Sequence, residues 1–290
     1  MKRILITGAG SYIGTSVEAY LARWADRYQV ESLDMRGDGW KNASFSGFDA
    51  VFHVAGLVHD AASRDDPSQW PKYHAVNSTL AVETARKAKA EGVGQFLFMS
   101  TAGVYGIDGK VGKPVVITQD TPLRPKNNYG RSKLEAEIGL KELEDDSFKV
   151  VILRPPMIYG KGCKGNYVTL SKLARKMLVF PKVDNRRSML YMENFAEFVR
   201  LMVENEERGT FCPQNEGFTN TSQMVQAIAG AHGKHLPLIP GFSWAIRLLG
   251  HATDLADKAF GNWCYDRSLS DYKENYCVKS LQESILETES

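Results

Sequence analysis

Through the first half of the chain, short runs of consecutive apolar residues alternate with longer stretches of helical period. Ile4-Leu5-Ile6, set between two basic residues and Thr7-Gly8, predicts a buried strand over 2–6 and then a helix over 12–24. Further strands are predicted over 29–33, 50–54, 95–100 and 149–153, with helices over about 70–90 and 129–144. Near-continuous apolar strands alternating with helices describe an α/β fold, a doubly wound parallel sheet covered on both faces. Little chain separates Asp34 from Val51, so a strand and a helix are expected to be shortened or missing there. Past Leu153 the pattern changes: Arg154-Pro155-Pro156 breaks the strand, a Gly- and Lys-rich stretch spans 160–165, and smaller helical segments and turns follow. The expected division is a first domain over 1–155, rejoined by about 186–215, and a smaller C-terminal substrate-binding region over 156–185 and 216–290.

The turns of this pattern carry candidate chemistry. Gly8, Gly10 and Gly14 fall at the first strand-to-helix turn. Glycines there let backbone N–H groups approach a phosphate, and the helix N-terminus favours its negative charge. The spacing departs by one residue from G-x-G-x-x-G, and an ordinary tight turn would use the same glycines. Asp34 ends the second strand, where an acid accepts both hydroxyls of a ribose and repels a 2′-phosphate, so NAD is expected over NADP. Arg36, two residues on, could instead pair with that phosphate. Ser100-Thr101 closes a strand at its carboxyl end, a place where open α/β sheets bind ligands and where capping hydroxyls are also common.

Tyr129 and Lys133 make the one Y-x-x-x-K of the chain and share a helix face, with Cβ atoms about 5–6 Å apart. Composition alone supplies about one such spacing by chance; its place, opening the helix before the last strand of the first half, singles it out. Bringing a phenol from pKa 10 to near neutrality takes roughly 4 kcal/mol. An ammonium 4 Å away contributes about that much at an effective dielectric near 20. The expectation is a proton shuttle in which Lys133 lowers the Tyr129 phenol for alcohol oxidation or ketone reduction.

Composition narrows the picture further. The 290 residues, 43% hydrophobic, suffice for a full core, and a formal charge of +2 suggests neither nucleic acid nor an acidic partner. The basic cluster Arg86, Lys87 and Lys89 has no interleaved aromatic and reads as a solvated helix end. His53 and His59 flank an apolar run and read as packed or surface histidines, and His232 and His235 have no partner carboxylate or cysteine cluster nearby in sequence, so no metal is expected. Cys163, Cys212, Cys264 and Cys277 show no C-x-x-C pairing and read as reduced thiols of a cytoplasmic protein. No signal peptide precedes the first strand, and no apolar run approaches the roughly 18 residues of a membrane span. The amphipathic segment 243–263 reads as a helix packed on its own domain, with a membrane surface or a partner as the other reading.

Together these motifs resemble the extended short-chain dehydrogenase/reductase family, the NAD-dependent epimerase/dehydratases, over nearly the whole chain. The family's T-G-x-x-G-x-x-G is matched at Thr7, Gly8 and Gly14, with Ser11 in the place of the middle glycine and Gly10 beside it. Residues 49–56 resemble its D-x-V-F-H-x-A-A strand, Val76-Asn77 its V-N helix start, and 100–106 its S-S/T-x-x-V-Y-G segment. The resemblance implies a Rossmann-like domain holding NAD through Gly8, Gly10, Ser11, Tyr12, Ile13 and Gly14 at the first turn. Asp34, Met35 and Arg36 would follow at the second strand, and Val54, Ala55 and Gly56 at the third. Asn77, Ser100, Tyr129, Lys133 and Pro156 would complete the cofactor set. It implies Thr101, Tyr129 and Lys133 as the catalytic residues and, usual for the family, a homodimer built on helix faces.

Arg154 to Gly160, then Asn166, and Asn185-Arg186-Arg187-Ser188 look like members acting on nucleotide-diphosphate sugars, with Arg187 clamping the pyrophosphate. A solvated surface pair is the plainer reading of Arg186-Arg187. Sugar 4,6-dehydratases of the family carry Asp-Glu after the threonine; Ala102 and Gly103 stand there instead, which disfavours dehydration. The implied activity is a nucleotide-sugar 4-epimerase. A reductase of a 4-keto nucleotide sugar is the runner-up, and a non-catalytic cofactor-sensing protein is a third reading.

Overall fold

The computed structural model describes residues 1–58, 61–241, 257 and 260–290. Six parallel strands form its main sheet: β1 (Lys2–Thr7), β2 (Tyr28–Leu33), β3 (Ala50–His53), β4 (Gln95–Met99), β6 (Lys149–Leu153) and β10 (Gly209–Phe211). Their order is β10-β6-β4-β3-β1-β2. The register aligns Leu5, Val51, Phe96 and Val150 in one row across the sheet. That row packs in one cluster with Ala81, Ala85 and Ala88 of α4 (Leu80–Ala90) and Ala136 and Leu140 of α5 (Asn128–Lys141). Alanines at this spacing form a low stripe that admits the bulky Phe96 and Phe98. The neighbouring row, Ile6, Phe52, Leu97 and Val151, is equally buried, which is why these strands read as continuous apolar runs.

Sequence order reverses between β1 and β3, so their carboxyl ends flank the crevice where doubly wound sheets bind ligands. Between β2 and β3 the chain makes a short 3-10 turn, Gly39–Asn42, whose Trp40 is drawn into the core. This turn stands where a further strand and helix would otherwise widen the sheet beyond β2. The first helix, α1 (Tyr12–Leu21), runs on into a 3-10 turn at Ala22–Trp24. The stretch expected as one helix over 70–90 is α3 (Trp70–His74), a π-helical turn (Ala75–Thr79) and α4. A one-turn helix, α2 (Ala61–Arg64), precedes it.

The chain forms two compact units: 1–106, 122–155 and 196–212 make the first, and 107–121, 156–195 and 213–290 the second. Relative to the sequence expectation, 107–121 goes with the second unit, and the chain returns to the first at 196 rather than near 186. The second unit pairs β5 (Val115–Ile117) with β12 (Trp263–Tyr265), β7 (Met157–Tyr159) with β9 (Met189–Tyr191), and β8 (Phe180–Pro181) with β11 (Leu238–Ile239), all parallel. It also carries α6 (Asn166–Lys176), α8 (Thr221–Ala231) and the helix Leu281–Glu289. Most of the amphipathic segment 243–263, and His59, lie outside the described residues. Among the described residues no helix is long and apolar enough to cross a membrane.

Candidate active site

The first turn is built by close approach. Gly8 sits at φ +121°, and a Cβ there would lie 2.7 Å from the backbone N of Ala55, so a side chain is excluded both by conformation and by space. The Thr7 carbonyl receives the N–H groups of both Val54 and Ala55, locking the exit of β3 against that of β1. Gly10, at φ +74°, faces open space. Ser11 has ordinary extended angles (φ −73°, ψ 147°), so glycine is not required at that point, and its Oγ caps α1 by accepting from Gly14 N at 3.1 Å. A Cβ on Gly14 would stand 2.7 Å from that oxygen and 3.1 Å from Ile6 Cγ2, which explains the glycine one turn later. Tyr12 and Ile13 open α1 immediately behind this cap. The open face at Gly10, the capped helix N-terminus and the acid after β2 together fit a dinucleotide, with pyrophosphate at the turn and ribose at Asp34.

At β2 the acid is engaged. Arg36 donates from Nε to both Asp34 oxygens (3.0 and 2.9 Å) and from Nη2 to Oδ2 (2.6 Å), and its backbone N adds a fourth bond. The Arg36 guanidinium holds the Asp34 carboxyl down to about 2. Met35, expected to touch the cofactor, instead turns its side chain into the core with Leu5, Trp40 and Phe45, leaving only its backbone for a ligand.

Beyond β3, Val54, Ala55 and Gly56 lead to a clamp centred on Asn77. Asn77 is fully buried in the π-helical turn; its Oδ1 accepts from Leu57 N (2.7 Å), and its Nδ2 donates to Leu57 O (3.2 Å) and Ser132 Oγ (3.0 Å). Both ends of this side chain are therefore used within the protein. Asn77 supports the site and does not itself point at a cofactor, a correction to the sequence reading. The Ser132 hydroxyl donates in turn to the Tyr129 carbonyl (3.0 Å). A Cβ on Gly56 would come within 3.1 Å of Asn77 Oδ1 and 3.3 Å of Lys133 Nζ.

Thr101 and Tyr129 meet because two backbones touch. Thr101 caps a 3-10 turn, Ala102–Tyr105, accepting from Gly103 N at 3.0 Å. Gly130, in the first turn of α5, lies so near Gly103 that a Cβ would be 2.6 Å from its carbonyl oxygen. The Thr101 side chain stands beside the Tyr129 phenol and favours its ionised form. Burial raises that phenol above its ordinary value; Thr101 and the Arg64 guanidinium, 5.9 Å from the ring centroid, pull it back, and Tyr73 pushes it up.

Lys133 stands one helical turn behind the phenol. Its ammonium is buried, donates to the Met99 carbonyl at 2.7 Å and sits 4.5 Å from the centre of the Phe98 ring. Burial lowers its pKa to about 7, with Glu137 opposing. Thr101 and Arg64 are the groups that favour the ionised phenol here. Ser100, also expected at the cofactor, turns inward and donates to Glu137 Oε1. Sequence reasoning missed Arg64, Tyr73 and Glu137. Only Glu137 was signalled, by its place four residues after Lys133.

The remaining predicted residues belong to the second unit. Pro156 is buried just after the break in β6, and Asn166 is the exposed first residue of α6. Arg187 exchanges two backbone hydrogen bonds with Thr219 (3.0 and 2.9 Å), and burial lowers its guanidinium below the usual value.

A doubly wound sheet with a glycine turn at its switch point and a hydroxyl, a phenol and a buried lysine at adjacent strand and helix ends defines a nucleotide-cofactor enzyme of the Rossmann class. The NAD dependent epimerase/dehydratase family model matches residues 4–212. The chain belongs to that family and is an NAD-dependent enzyme. It is 30% identical over 313 residues to a UDP-glucose 4-epimerase of Vibrio cholerae, covering 99% of this chain and 94% of that one. It is 31% identical over 226 residues to a GDP-6-deoxy-D-mannose reductase of Pseudomonas aeruginosa, covering 71% and 72%. Its fold is similar to that of the UDP-glucuronic acid 4-epimerase of Bacillus cereus solved with NAD, at a TM-score of 0.72 and 17% identity over 98% of this chain and 96% of that one.

Proposed function

We propose that the protein is a nucleotide-sugar 4-epimerase of the UDP-glucose/UDP-galactose type, working through a transient 4-keto sugar. The observation that carries this reading is the close approach of the Gly103 and Gly130 backbones, which sets Thr101 beside the Tyr129 phenol, with Lys133 anchored one helical turn behind it. NAD would be held at the Gly8–Gly14 turn and Asp34, where it would take a hydride from C4 of the sugar and return it to the other face. Tyr129 removes the proton of the sugar 4-hydroxyl and gives it back once the keto sugar has turned, and Thr101 holds the same oxygen. Arg187 and Asn166 bind the sugar diphosphate, Arg187 through a charge-assisted fork. The absence of an acid at Ala102 and Gly103 supports epimerisation over dehydration. The same reading has the enzyme act in the cytoplasm as a homodimer, for which the half-exposed Ile138 on α5 offers an apolar contact.

A second reading, a reductase of a 4-keto nucleotide sugar, is favoured by one feature: the exposed Arg36 on Asp34 offers a guanidinium to a 2′-phosphate, as a released NADPH would require. Incubation with UDP- and dTDP-sugars and NAD, read by product NMR, tests the proposal. Inversion at C4 without net cofactor turnover is expected. Conversion only of 4-keto sugars, with stoichiometric loss of NAD(P)H, would replace it by the reductase.

A further inference from the structure

One turn beyond Lys133 on the same face of α5 lies Glu137, a carboxylate 1% exposed that the proton shuttle does not use. Arg154, at the end of β6, donates to it from Nε (3.0 Å) and Nη2 (2.5 Å), and from Nη1 to the Tyr105 hydroxyl (3.0 Å). Two consecutive residues at the end of β4 stitch this helix face down: the Met99 carbonyl takes the Lys133 ammonium, and the Ser100 hydroxyl donates to Glu137. Tyr129, Lys133 and Glu137, spaced four apart, are thereby held in one line against the sheet.

Among the described residues, the groups around Lys133 leave the Glu137 carboxylate as its chief counter-charge. From β3, His53 is fully buried, bonds Thr7 Oγ1 through Nδ1 and is held neutral, down to about 3, by burial and by Lys133 itself. From β4 comes the Phe98 ring, and from the π-helical turn the neutral Asn77 amide near Gly56. Tyr129 lies one turn before it on its own helix, with Arg64 and Tyr73 acting on that phenol. Arg154, the remaining nearby cation, is bound to Glu137.

We propose that Glu137 is the positioning residue of this site: its buried carboxylate, one turn beyond Lys133 and gripped by Arg154 and Ser100, is the counter-charge that holds the lysine behind Tyr129. The catalytic part of this assignment rests on the shuttle read above. The electrostatic part stands without it. An uncompensated lysine in this pocket would be driven neutral by burial; the carboxylate one turn away opposes that loss of charge.

The test follows Lys133 directly. Protein carrying ¹³Cε-lysine is titrated by NMR between pH 5 and 10, with the Lys133 signal assigned by its loss in Lys133→Met. Glu137→Gln keeps the side chain's size but leaves Arg154 as an uncompensated neighbour, so the Lys133 midpoint should fall by roughly one pH unit. In Glu137→Gln/Arg154→Gln, neutral at both positions, it should fall less but stay below wild type, which keeps the test decisive if the single variant is too unstable. A midpoint equal to or above wild type in the double variant overturns the inference. The pH–rate profile then separates the two claims: if the midpoint falls and the profile does not follow, the assignment of Glu137 holds and the shuttle fails.

Discussion

Burial drives both ends of the candidate shuttle toward neutrality, lifting the Tyr129 phenol and lowering the Lys133 ammonium to about 7. Removing the phenol alone should therefore act on chemistry and not on folding. Tyr129→Phe is expected to lower turnover by about 10²–10⁴-fold while NAD affinity, measured by calorimetry, stays within twofold. Lys133 makes a different prediction, about stability. Below pH 7 the folded protein carries a buried ammonium, and the penalty is full; above that it declines, vanishing near the unfolded value of about 10.4. Lys133→Met should thus raise the melting temperature more at pH 6 than at pH 9, since loss of the bond to Met99 subtracts equally at both. A gain independent of pH would show that the lysine is not buried as a charge.

At the scale of elements, α5 works because it comes closer to the Thr101 turn than a side chain permits. Gly130→Ala improves intrinsic helix propensity by about 1 kcal/mol, yet its Cβ would stand 2.6 Å from Gly103 O and 3.1 Å from Pro125 Cβ. Backbone cannot yield as a flexible side chain can, so the helix must retreat and Tyr129 leave Thr101. Turnover should drop at least tenfold and the urea midpoint should fall; a midpoint that rises would mean the helix gain wins. The sheet, the glycine turn, the acid after β2 and the Tyr-Lys helix were all legible, because each is a local pattern of apolar period or turn chemistry. Side-chain direction was not. Met35, Asn77 and Ser100 sit at the expected positions, but packing and neighbouring donors turn them away from a cofactor. Arg64 and Tyr73 were illegible for another reason: they reach Tyr129 from elements more than fifty residues earlier, and no spacing announces such a meeting. The π-helical turn around Asn77 left no compositional mark either.

At the scale of the molecule, the residues read as gripping the substrate fall in the second unit and those read as holding the cofactor, Pro156 apart, in the first. Arg187→Ala should weaken binding of UDP and UDP-sugars tenfold to a hundredfold, about 1.5–3 kcal/mol for a charge-assisted contact to phosphate. NAD affinity should be unchanged. Paired calorimetric titrations decide this, and a joint fall of both affinities would move Arg187 from the substrate to the fold.

The first unit is assembled from three separated stretches, and that has a consequence for how it is made. β6 gains its partner β10 only when residues 209–211 arrive, and the Lys2 ammonium on β1 waits almost as long for the carbonyls of Val203 and Glu204 and the carboxylate of Glu206. During synthesis, the stretch from Leu153 to Gly209 takes roughly 3–10 s at about 5–20 residues per second. For that interval β6 presents an open parallel edge of Val, Ile and Leu, the kind of template to which other nascent chains adhere. The yield of folded enzyme then depends on how quickly the ribosome delivers those residues, a matter of tempo that the finished sheet no longer records.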